Sequence, residues 1–373
     1  MFPLIELAGS PFDRGAAYGK AARERIGVSI ANYRTLSAHG GLGWDEARAL
    51  AGRYARPIRE LDPALVEEIE GIAAGSGYGL ADILALNCRT ELLPPSFPEP
   101  ADEAWLAAAR RAADLGECTA IAVEPDRSAT GGALLAQNWD WLGTQRQALV
   151  LIRAETGSTA YLTLTEAGML AKIGLNGHGL GVCLNILRSR DDGLRPGVPV
   201  HVLLRRLLEC RKVGEVEALV GRLRYAASSN VLCADAAGGI ASFELSPAGA
   251  GVVRAEGGAL CHTNHFLDPA LAAGEAAPAE SLSSRPRLER ARAFVASRAT
   301  LGPRDLQALL RDESDGRLSV CRRPDPQAPW YLRIESVASV VMELARGAMH
   351  VAPDVPSRCD YLEVALEAQM ALA

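Results

Sequence analysis

The periodicity of the chain changes within residues 116–141, GECTAIAVEPDRSATGGALLAQNWDW. Before Cys118 the apolar residues recur at helical spacing, whereas CTAIAV and GALLAQNW are short apolar runs of the kind found in buried strands. The intervening residues, from Asp126 to Gly132, favour a turn. We therefore expect a hairpin here, with Cys118 at the start of the first strand of a sheet.

Residues 1–117 are predicted to be mainly helical. A short strand is expected at residues 3–7 and a helix from residue 10 to about residue 36. The clearest helix lies in DPALVEEIEGIAAGSG, residues 62–77, where an aspartate cap and a proline precede apolar residues at helical spacing. The prolines that follow forbid regular structure, so residues 93–116 are interpreted as an exposed linker containing a short Ala-rich helix.

Residues 118–373 are predicted to alternate blocks of antiparallel strands with helices. Further strands are expected in ALVLIRA, TAYLTLT, GLGVCLNIL, NVLCAD, GIASFEL, GVVRA, VASVVMEL and GAMHVA, and helices at residues 200–209, 213–223, 287–296 and 303–310. Residues 268–285, rich in Ala, Pro and Ser, are expected to form a loop. Helices that bracket strand blocks indicate a layered α+β architecture, and no internal repeat is evident.

The composition argues against two classes of protein, those that bind nucleic acid and those that span a membrane. The chain of 373 residues is 49% hydrophobic and has a formal net charge of -6, so it offers no basic field for nucleic acid. No secretory signal or membrane span is apparent, and we expect a soluble cytoplasmic protein. Only Lys20, Lys172 and Lys212 are lysines among 39 basic residues, an arginine excess that suggests a GC-rich bacterial genome.

The eight cysteines are dispersed and include no CxxC pair, which argues against both a zinc site and a disulfide framework. Most are expected to be reduced and buried. Cys118 is placed unusually, where the predicted linker meets the first strand of the sheet. Free cysteines are most often small buried hydrophobes, so position alone leaves a structural and a nucleophilic interpretation open.

Further blocks of sequence, spread along nearly the whole chain, resemble the same protein family as GECTAIAV and GGALLAQNWDW. They are, in order, SPFDRGAAYG, EEIEGIAAGSG with LALNCRTEL, LTEAGMLAKIGLNGHGLGV, LRPGVPVHVLLR, FELSP, HTNHFL and LSVCR. Together they resemble the acyl-coenzyme A:6-aminopenicillanate acyltransferase family, a branch of the N-terminal nucleophile hydrolases. The resemblance implies a four-layer αββα sandwich in one domain, made as a precursor that cleaves itself before Cys118. Residues 1–117 would be released or retained as the smaller subunit, and residues 118–373 would form the catalytic segment.

The implied cleavage has a simple chemical course. The Cys118 thiol attacks the carbonyl of Glu117, the acyl group moves from nitrogen to sulfur, and water releases the upstream fragment. The new α-amine, with a reference pKa of about 7.7–8.0, can then take the thiol proton, so no histidine is required. The fungal acyltransferases that the chain resembles have glycine in place of Glu117, whose bulk and charge would slow cleavage. Whether this bond is cut stays open.

Asp140 matches the catalytic aspartate of the family, which would orient the Cys118 amine and stabilise its protonated form. Its alternative interpretation is a turn-forming residue at a strand end. Asn264 in HTNH matches the residue that donates a hydrogen bond to the tetrahedral oxyanion. A metal site here is disfavoured, because His262 and His265 lack the further ligands that zinc needs.

Arg333 aligns with an arginine that holds substrate or catalytic geometry, although a surface arginine is an equal alternative. Ser246 in FELSP matches a serine important for processing or activity, and a turn before Pro247 is the other interpretation. The glycines of AKIGLNGHGLGV do not form a dinucleotide-binding motif, and we assign no cofactor and no metal.

The resemblance therefore implies a self-processing cysteine amidohydrolase or acyltransferase. It would act on a small N-acyl amide or acyl thioester through a Cys118 thioester, with coenzyme A as a substrate at most; an N-acyl amide hydrolase is favoured over penicillin synthesis. Two alternatives stay open: an unprocessed hydrolase with His178 or His262 as base, and a non-catalytic binding protein. The sequence does not decide the acyl group, the amine, hydrolysis against transfer, or whether the chain forms a homo-oligomer.

Overall fold

The computed structural model describes residues 1–93, 118–193, 197–276, 283–327 and 333–367. The predicted linker, apart from Leu93, and Glu117 lie outside these ranges.

Seven α-helices and one strand occupy residues 1–93. They are β1 (Leu4–Leu7), α1 (Pro11–Ala21), α2 (Arg23–His39), α3 (Trp44–Ala51), α4 (Ala55–Leu61), α5 (Pro63–Ser76), α6 (Leu80–Asn87) and α7 (Arg89–Leu92). The predicted cap of α5 is confirmed, since the Asp62 carboxylate accepts a hydrogen bond from Ala64 N at 3.0 Å. The single helix predicted for residues 10–36 is instead two helices, α1 and α2, which meet at Ala22 where the backbone leaves helical geometry.

Helices α1 and α5 approach one another closely because glycines line their contact. A Cβ atom on Gly15 would lie 2.1 Å from the carbonyl oxygen of Glu68, and one on Gly75 would lie 2.0 Å from that of Ala16. Any larger residue at these positions would force the two helices apart.

The remaining described residues supply thirteen strands and five helices. The strands are β2 (Cys118–Val123), β3 (Leu134–Leu142), β4 (Leu149–Glu155), β5 (Ala160–Glu166), β6 (Ile173–Asn176), β7 (Leu180–Ile186), β8 (Ser229–Asp235), β9 (Ile240–Ser246), β10 (Gly249–Arg254), β11 (Ala259–His262), β12 (Ile334–Glu343), β13 (Ala348–Ala352) and β14 (Leu362–Ala365). The helices are α8 (Val200–Leu207), α9 (Val213–Val220), α10 (Pro269–Ala272), α11 (Ser284–Ala296) and α12 (Pro303–Leu310).

The segment predicted as a loop, residues 268–285, contains α10 and the start of α11. Asp268 caps α10 by accepting from Ala270 N and Leu271 N, and Pro269 begins it, which is a helix-start signal that the loop prediction overlooked. Helix α11 begins three residues earlier than predicted, so Arg287 lies within the helix rather than at its first residue.

The strands form two sheets. The large sheet has the order β1-β4-β5-β6-β7-β8-β9-β10, and the small sheet has the order β11-β2-β3-β12-β13-β14. The predicted hairpin of β2 and β3 is confirmed, with Cys118 paired to Trp139 and Val123 to Leu134. Strands β2 and β3 pack face to face on β7 and β8, so the centres of the two sheets contact each other.

Helices cover the outer faces of both sheets. Helix α9 contacts β8 and β9 of the large sheet, while α11 contacts β2 and β11, and α12 contacts β3 and β12, of the small sheet. The chain is thus an α+β protein, a four-layer αββα sandwich as expected. Among the described residues, no helix combines the length and the apolar character that crossing a bilayer requires.

Residues 1–93 are joined to the large sheet by main-chain and buried side-chain contacts. Strand β1 pairs in parallel with β4. Glu68 of α5 accepts from Arg14 at 3.1 Å and from Arg205 of α8 at 3.2 Å, and all three side chains are buried. The first 93 residues therefore complete the sandwich rather than form an appendage to it.

Candidate active site

Cys118 begins β2, a strand in the interior of the small sheet. Strand β2 lies between β3 and β11, with one face against β7 of the large sheet and the other against α11. All six of its residues are therefore buried. Only 3% of Cys118 is exposed. The sulfur atom is thus held at the end of a strand between the two sheets, a rigid position for a reactive group.

Three side chains from distant segments bind the main chain of Cys118. Its nitrogen donates to Oδ1 of Asn264 at 2.6 Å. Its carbonyl oxygen accepts from Nη1 of Arg287 at 2.7 Å and from Nδ2 of Asn185 at 3.2 Å. Both main-chain polar atoms of this residue are therefore held by side chains from distant segments.

Arg287 links the parts of this cluster. It is fully buried, and it also donates to Thr119 Oγ1 at 2.9 Å and to Asn264 Oδ1 at 3.0 Å. This residue was not predicted from the sequence. It is one of several arginines in α11, and nothing in their spacing distinguishes the single one that turns inward.

Asn185 is the second site residue that was not predicted from the sequence. It lies on β7, and its own Oδ1 accepts from Asn230 Nδ2 at 3.0 Å, while Asn230 Oδ1 accepts from Ser242 Oγ at 2.5 Å. This chain of buried hydrogen bonds across three strands fixes which face of the Asn185 amide points at Cys118. The amide nitrogen is thereby committed as a donor beside the nucleophile candidate.

Asn264 follows β11 and is oriented by its neighbours. Its main-chain nitrogen donates to Ser284 Oγ at 2.8 Å, and its Nδ2 donates to the carbonyl of Ile186 at 2.9 Å. The resemblance predicted a donor to the oxyanion here. The contact that the structure shows is a different one, in which Oδ1 of Asn264 accepts from the Cys118 nitrogen.

The environment of the Cys118 thiol contains opposing influences. Burial raises the pKa of the thiol, whereas Lys172, the main-chain N–H of Asp140 and the side chain of Gln137 lower it. The negative charge of Asp140 acts in the same direction as burial. Hydrogen-bond donors and one cation thus compensate part of the cost of forming a thiolate in this buried position.

Asp140 is buried two residues from the end of β3. Burial raises the pKa of its carboxyl group to about 7, against the opposing effects of Arg287 and Ser336. Ser336 Oγ donates to Oδ1 at 2.6 Å, and Oδ2 has no hydrogen-bond partner among the described residues. In the intact chain the nitrogen of Cys118 is bonded to Asn264, so the predicted contact of Asp140 with the amine is not formed at this stage.

The structure places Arg333 and Ser246 outside this cluster. Arg333 is exposed and donates to the carbonyl of Pro326 at 3.3 Å. Ser246 ends β9, and its Oγ accepts from Ala248 N at 3.1 Å, the geometry of the turn that was the alternative interpretation. The roles that the resemblance implied for both residues stay predictions.

The histidines near the site are engaged in structural contacts. Nε2 of His262 lies 2.7 Å from Glu244 Oε1, and its Nδ1 lies 2.7 Å from the carbonyl of Thr263. Nδ1 of His265 lies 2.7 Å from Ser284 Oγ. Neither ring nitrogen of His262 is available to take a proton from Cys118. The remaining candidate, His178, is exposed.

One group in the described part of the chain has the composition of a metal site. Glu343, His350 and Glu363 lie on neighbouring strands of the small sheet, with their ligand atoms within 4.8 Å of one another. Arg346 is ion-paired with both carboxylates, however, and supplies the positive charge that a cation would bring. We assign this group no role in the chemistry.

The family model and the curated relative that match this chain carry the same description. Residues 127–345 match the family described as acyl-coenzyme A:6-aminopenicillanic acid acyl-transferase. The chain is 30% identical, over 274 residues, to the acyl-coenzyme A:6-aminopenicillanic-acid-acyltransferase 40 kDa form of Emericella nidulans, and the match covers 70% of this chain and 69% of that protein.

Two solved structures are also similar. Penicillin V acylase from Agrobacterium tumefaciens is 14% identical with a TM-score of 0.44, covering 63% of this chain and 82% of that one. A mutant of the conjugated bile acid hydrolase from Clostridium perfringens is 13% identical with a TM-score of 0.41, covering 63% of this chain and 88% of that one.

Proposed function

The chain belongs to the acyl-coenzyme A:6-aminopenicillanic acid acyl-transferase family, and we propose that it carries out acyl transfer or amide hydrolysis with Cys118 as its nucleophile. One observation carries this proposal. The nitrogen and the carbonyl oxygen of Cys118 are each bound by buried side chains, Asn264 on one side and Arg287 with Asn185 on the other. These contacts fix the nitrogen that cleavage would turn into the base, while Lys172, the Asp140 N–H and Gln137 lower the pKa of the thiol beside it.

The nucleophile is freed by cleavage of the bond between Glu117 and Cys118. The thiolate attacks the Glu117 carbonyl, a C–S bond forms, and the C–N bond breaks as the nitrogen of Cys118 takes up a proton. Water then hydrolyses the thioester, which leaves a carboxylate on residue 117 and a free thiol on Cys118. The contact between that nitrogen and Asn264 keeps the new amine in place as it forms.

In the mature enzyme the α-amine takes the thiol proton, and the thiolate attacks the carbonyl carbon of the substrate. The negative charge that develops on the carbonyl oxygen is stabilised by the amide donor of Asn264, and one such donor typically contributes about 10²–10³ in rate. Collapse expels the amine or thiol and leaves the acyl group on Cys118. Water or an acceptor amine then releases it.

The substrate is a small N-acyl amide or an acyl thioester, and acyl-coenzyme A is a candidate donor. All steps are substitutions at a carbonyl carbon, so the proposal requires no metal or redox cofactor. A cytoplasmic location is part of the proposal.

Residues 1–117 remain bound after cleavage in this proposal. Arg89 of α7 donates to Glu166 of β5 at 3.1 Å, and both side chains are buried. Asn87 Nδ2 donates to the carbonyl of Gly168 at 2.8 Å, and its Oδ1 accepts from Leu170 N at 3.0 Å. Release of the upstream fragment would break these contacts and expose apolar side chains that residues 1–93 bury in the core, among them Ile26, Ile69 and Ile72, so retention is the favoured outcome.

The proposal is tested by trapping the acyl-enzyme. The protein is mixed with a series of N-acyl amides and acyl-coenzyme A thioesters, quenched in acid, and analysed by mass spectrometry. We expect the mass of residues 118–373 to rise by one acyl group. Cys359→Ala, which alters a partly exposed cysteine, serves as the matched control and should behave as the wild type. Turnover without any adduct on Cys118, or turnover that survives Cys118→Ala, would contradict the proposal.

A further inference from the structure

Lys172 is a buried lysine beside the candidate nucleophile. The chain has three lysines, of which Lys20 and Lys212 are exposed, whereas Lys172 is only 2% exposed. It immediately precedes β6, and its main-chain nitrogen donates to Thr163 Oγ1 at 3.3 Å. Burial of a lysine is costly unless its amine is used or paired, so its position calls for an explanation.

The Lys172 amine lies on the ring of Trp139. Nζ is 3.8 Å from the ring centroid, within the range of a cation–π contact. Trp139 is the cross-strand partner of Cys118, and directly paired residues of antiparallel strands project their side chains from the same face of the sheet. The amine and the thiol therefore share the layer between the two sheets.

The ion pairing of Lys172 is incomplete. Nζ lies 3.7 Å from Glu166 Oε1, but that same oxygen accepts from Arg89 at 3.1 Å. The other oxygen of Glu166 accepts from Tyr33 and from Gln145 Nε2 at 2.9 Å. Glu166 is thus shared among four donors, and Lys172 has only part of a counter-ion.

The ionisable groups that influence Lys172 are Arg89 on α7, Glu166 on β5, Cys118 on β2 and His201 on α8. Burial and Arg89 lower the pKa of Lys172 to about 7, while Glu166 and Cys118 oppose that shift. Burial also holds the pKa of His201 well below its ordinary value, so this imidazole stays neutral. A protonated Lys172 and Arg89 carry two positive charges beside the single carboxylate of Glu166, so a thiolate on Cys118 would be stabilised by this group of residues.

We propose that Lys172 is a positioning residue of the reaction, whose ammonium group stabilises the Cys118 thiolate from the layer between the sheets. The inference rests on the proposed role of Cys118 as nucleophile. It matters most before cleavage, because the nitrogen of Cys118 is then an amide that cannot take the thiol proton. In the uncut chain the thiol proton leaves to solvent, and the ammonium of Lys172 balances the charge of the remaining thiolate.

The test is the pH dependence of Cys118 alkylation by iodoacetamide, measured between pH 5 and pH 9 by peptide mass spectrometry. The proteins are the wild type, Lys172→Met, Lys172→Arg and the exposed-lysine control Lys212→Met. Loss of a nearby positive charge raises a thiol pKa by about one unit or more. We expect Lys172→Met to be alkylated roughly tenfold more slowly at pH 7, with Lys172→Arg restoring much of the rate and Lys212→Met unchanged.

A second measurement needs no substitution and covers the case in which Lys172→Met does not fold. Because the coupling of two ionisations is reciprocal, alkylation of Cys118 in the wild type should lower the pKa of Lys172. This pKa is read from the pH profile of Lys172 acetylation by acetic anhydride, with Lys20 and Lys212 as internal references. An unchanged Lys172 profile after alkylation would overturn the inference.

The results separate the two proposals. A reactive Cys118 whose alkylation profile is the same in Lys172→Met as in the wild type would overturn the role of Lys172 alone. A wild-type Cys118 no more reactive than the other seven cysteines would overturn the proposed function, and the role of Lys172 with it.

Discussion

The main-chain nitrogen of Cys118 donates a 2.6 Å hydrogen bond to Oδ1 of Asn264, a residue 146 positions further along the chain. The same oxygen accepts from Arg287, which also holds the Cys118 carbonyl. The atom that would become the α-amine is thus already positioned in the intact chain, and cleavage would need to change its protonation but not its place.

Replacement of Asn264 by alanine removes both an acceptor for the Cys118 nitrogen and the amide donor that we propose for the oxyanion. We expect kcat to fall by about 10²–10³. The control is Asn32→Ala, which removes a partly buried side-chain amide of α2 that donates a hydrogen bond to Gln145. Steady-state kinetics on the best acyl donor measures the effect. A fall of less than about threefold in Asn264→Ala would show that this asparagine only supports the fold.

Replacement of Arg287 by lysine keeps the charge but loses the two-pronged geometry that joins Cys118, Thr119 and Asn264. A lysine cannot reproduce these contacts, because its three donors radiate from one atom. We expect kcat to fall about 100-fold with a smaller change in KM, since the lost contacts hold the nucleophile rather than the substrate.

Arg292→Lys, an exposed residue of the same helix, is the matched control for Arg287→Lys and should retain wild-type kinetics. Equal effects of the two substitutions, or a change confined to KM, would argue against the positioning role of Arg287.

The stability of the fold should depend on the ionisation of Asp140. Its pKa is raised to about 7 in the folded protein, above the ordinary value of 3.8. Between these values the folded state binds more protons than the unfolded state, so this group makes the protein less stable as pH rises through that window. From pH 5 to pH 8 the loss is about 2–3 kcal/mol.

Urea unfolding at pH 5 and pH 8 measures this effect, in a Cys118→Ala background that keeps the chain in one piece. As pH rises from 5 to 8, the free energy of unfolding should fall by about 2–3 kcal/mol less in the protein that also carries Asp140→Asn than in Cys118→Ala alone. Parallel pH dependence of the two proteins would mean that Asp140 is ionised throughout, and its proposed titration near neutral pH would be wrong.

The cleaved fragments should stay together in solution. Glu68→Gln leaves Arg14 and Arg205 buried without their shared carboxylate, a change that costs about 3–5 kcal/mol. Size-exclusion chromatography of the wild type should give one peak that contains both fragments, whereas Glu68→Gln should lower Tm and promote dissociation. Glu60→Gln, which breaks only an exposed pair with Arg56, is the control. A separate peak of the upstream fragment from the wild type would contradict retention.

Sequence alone predicted the features that depend on neighbouring residues. The hairpin of β2 and β3, the placement of Cys118 at its start, and the capped helix α5 all follow from local apolar spacing and turn residues. The division of residues 10–36 at Ala22 was missed, because it depends on how the helices pack rather than on a breaker in the sequence.

The site was predicted only in part. Resemblance to a family singled out Asp140 and Asn264 as candidates, and it did not predict the hydrogen bonds that each makes. Arg287 and Asn185 contact the carbonyl of Cys118 from 169 and 67 residues away, and Lys172 reaches Trp139 from another strand connection. These contacts depend on the stacking of two sheets and a helix, a relationship that periodicity along one chain does not contain.

The central claim is that Cys118 becomes an N-terminal nucleophile, and intact mass spectrometry of freshly purified protein beside Cys118→Ala tests it most directly. We expect two masses for the wild type, residues 1–117 and 118–373, and one full-length mass for the variant. A single full-length mass for a wild-type protein that is active would contradict the claim.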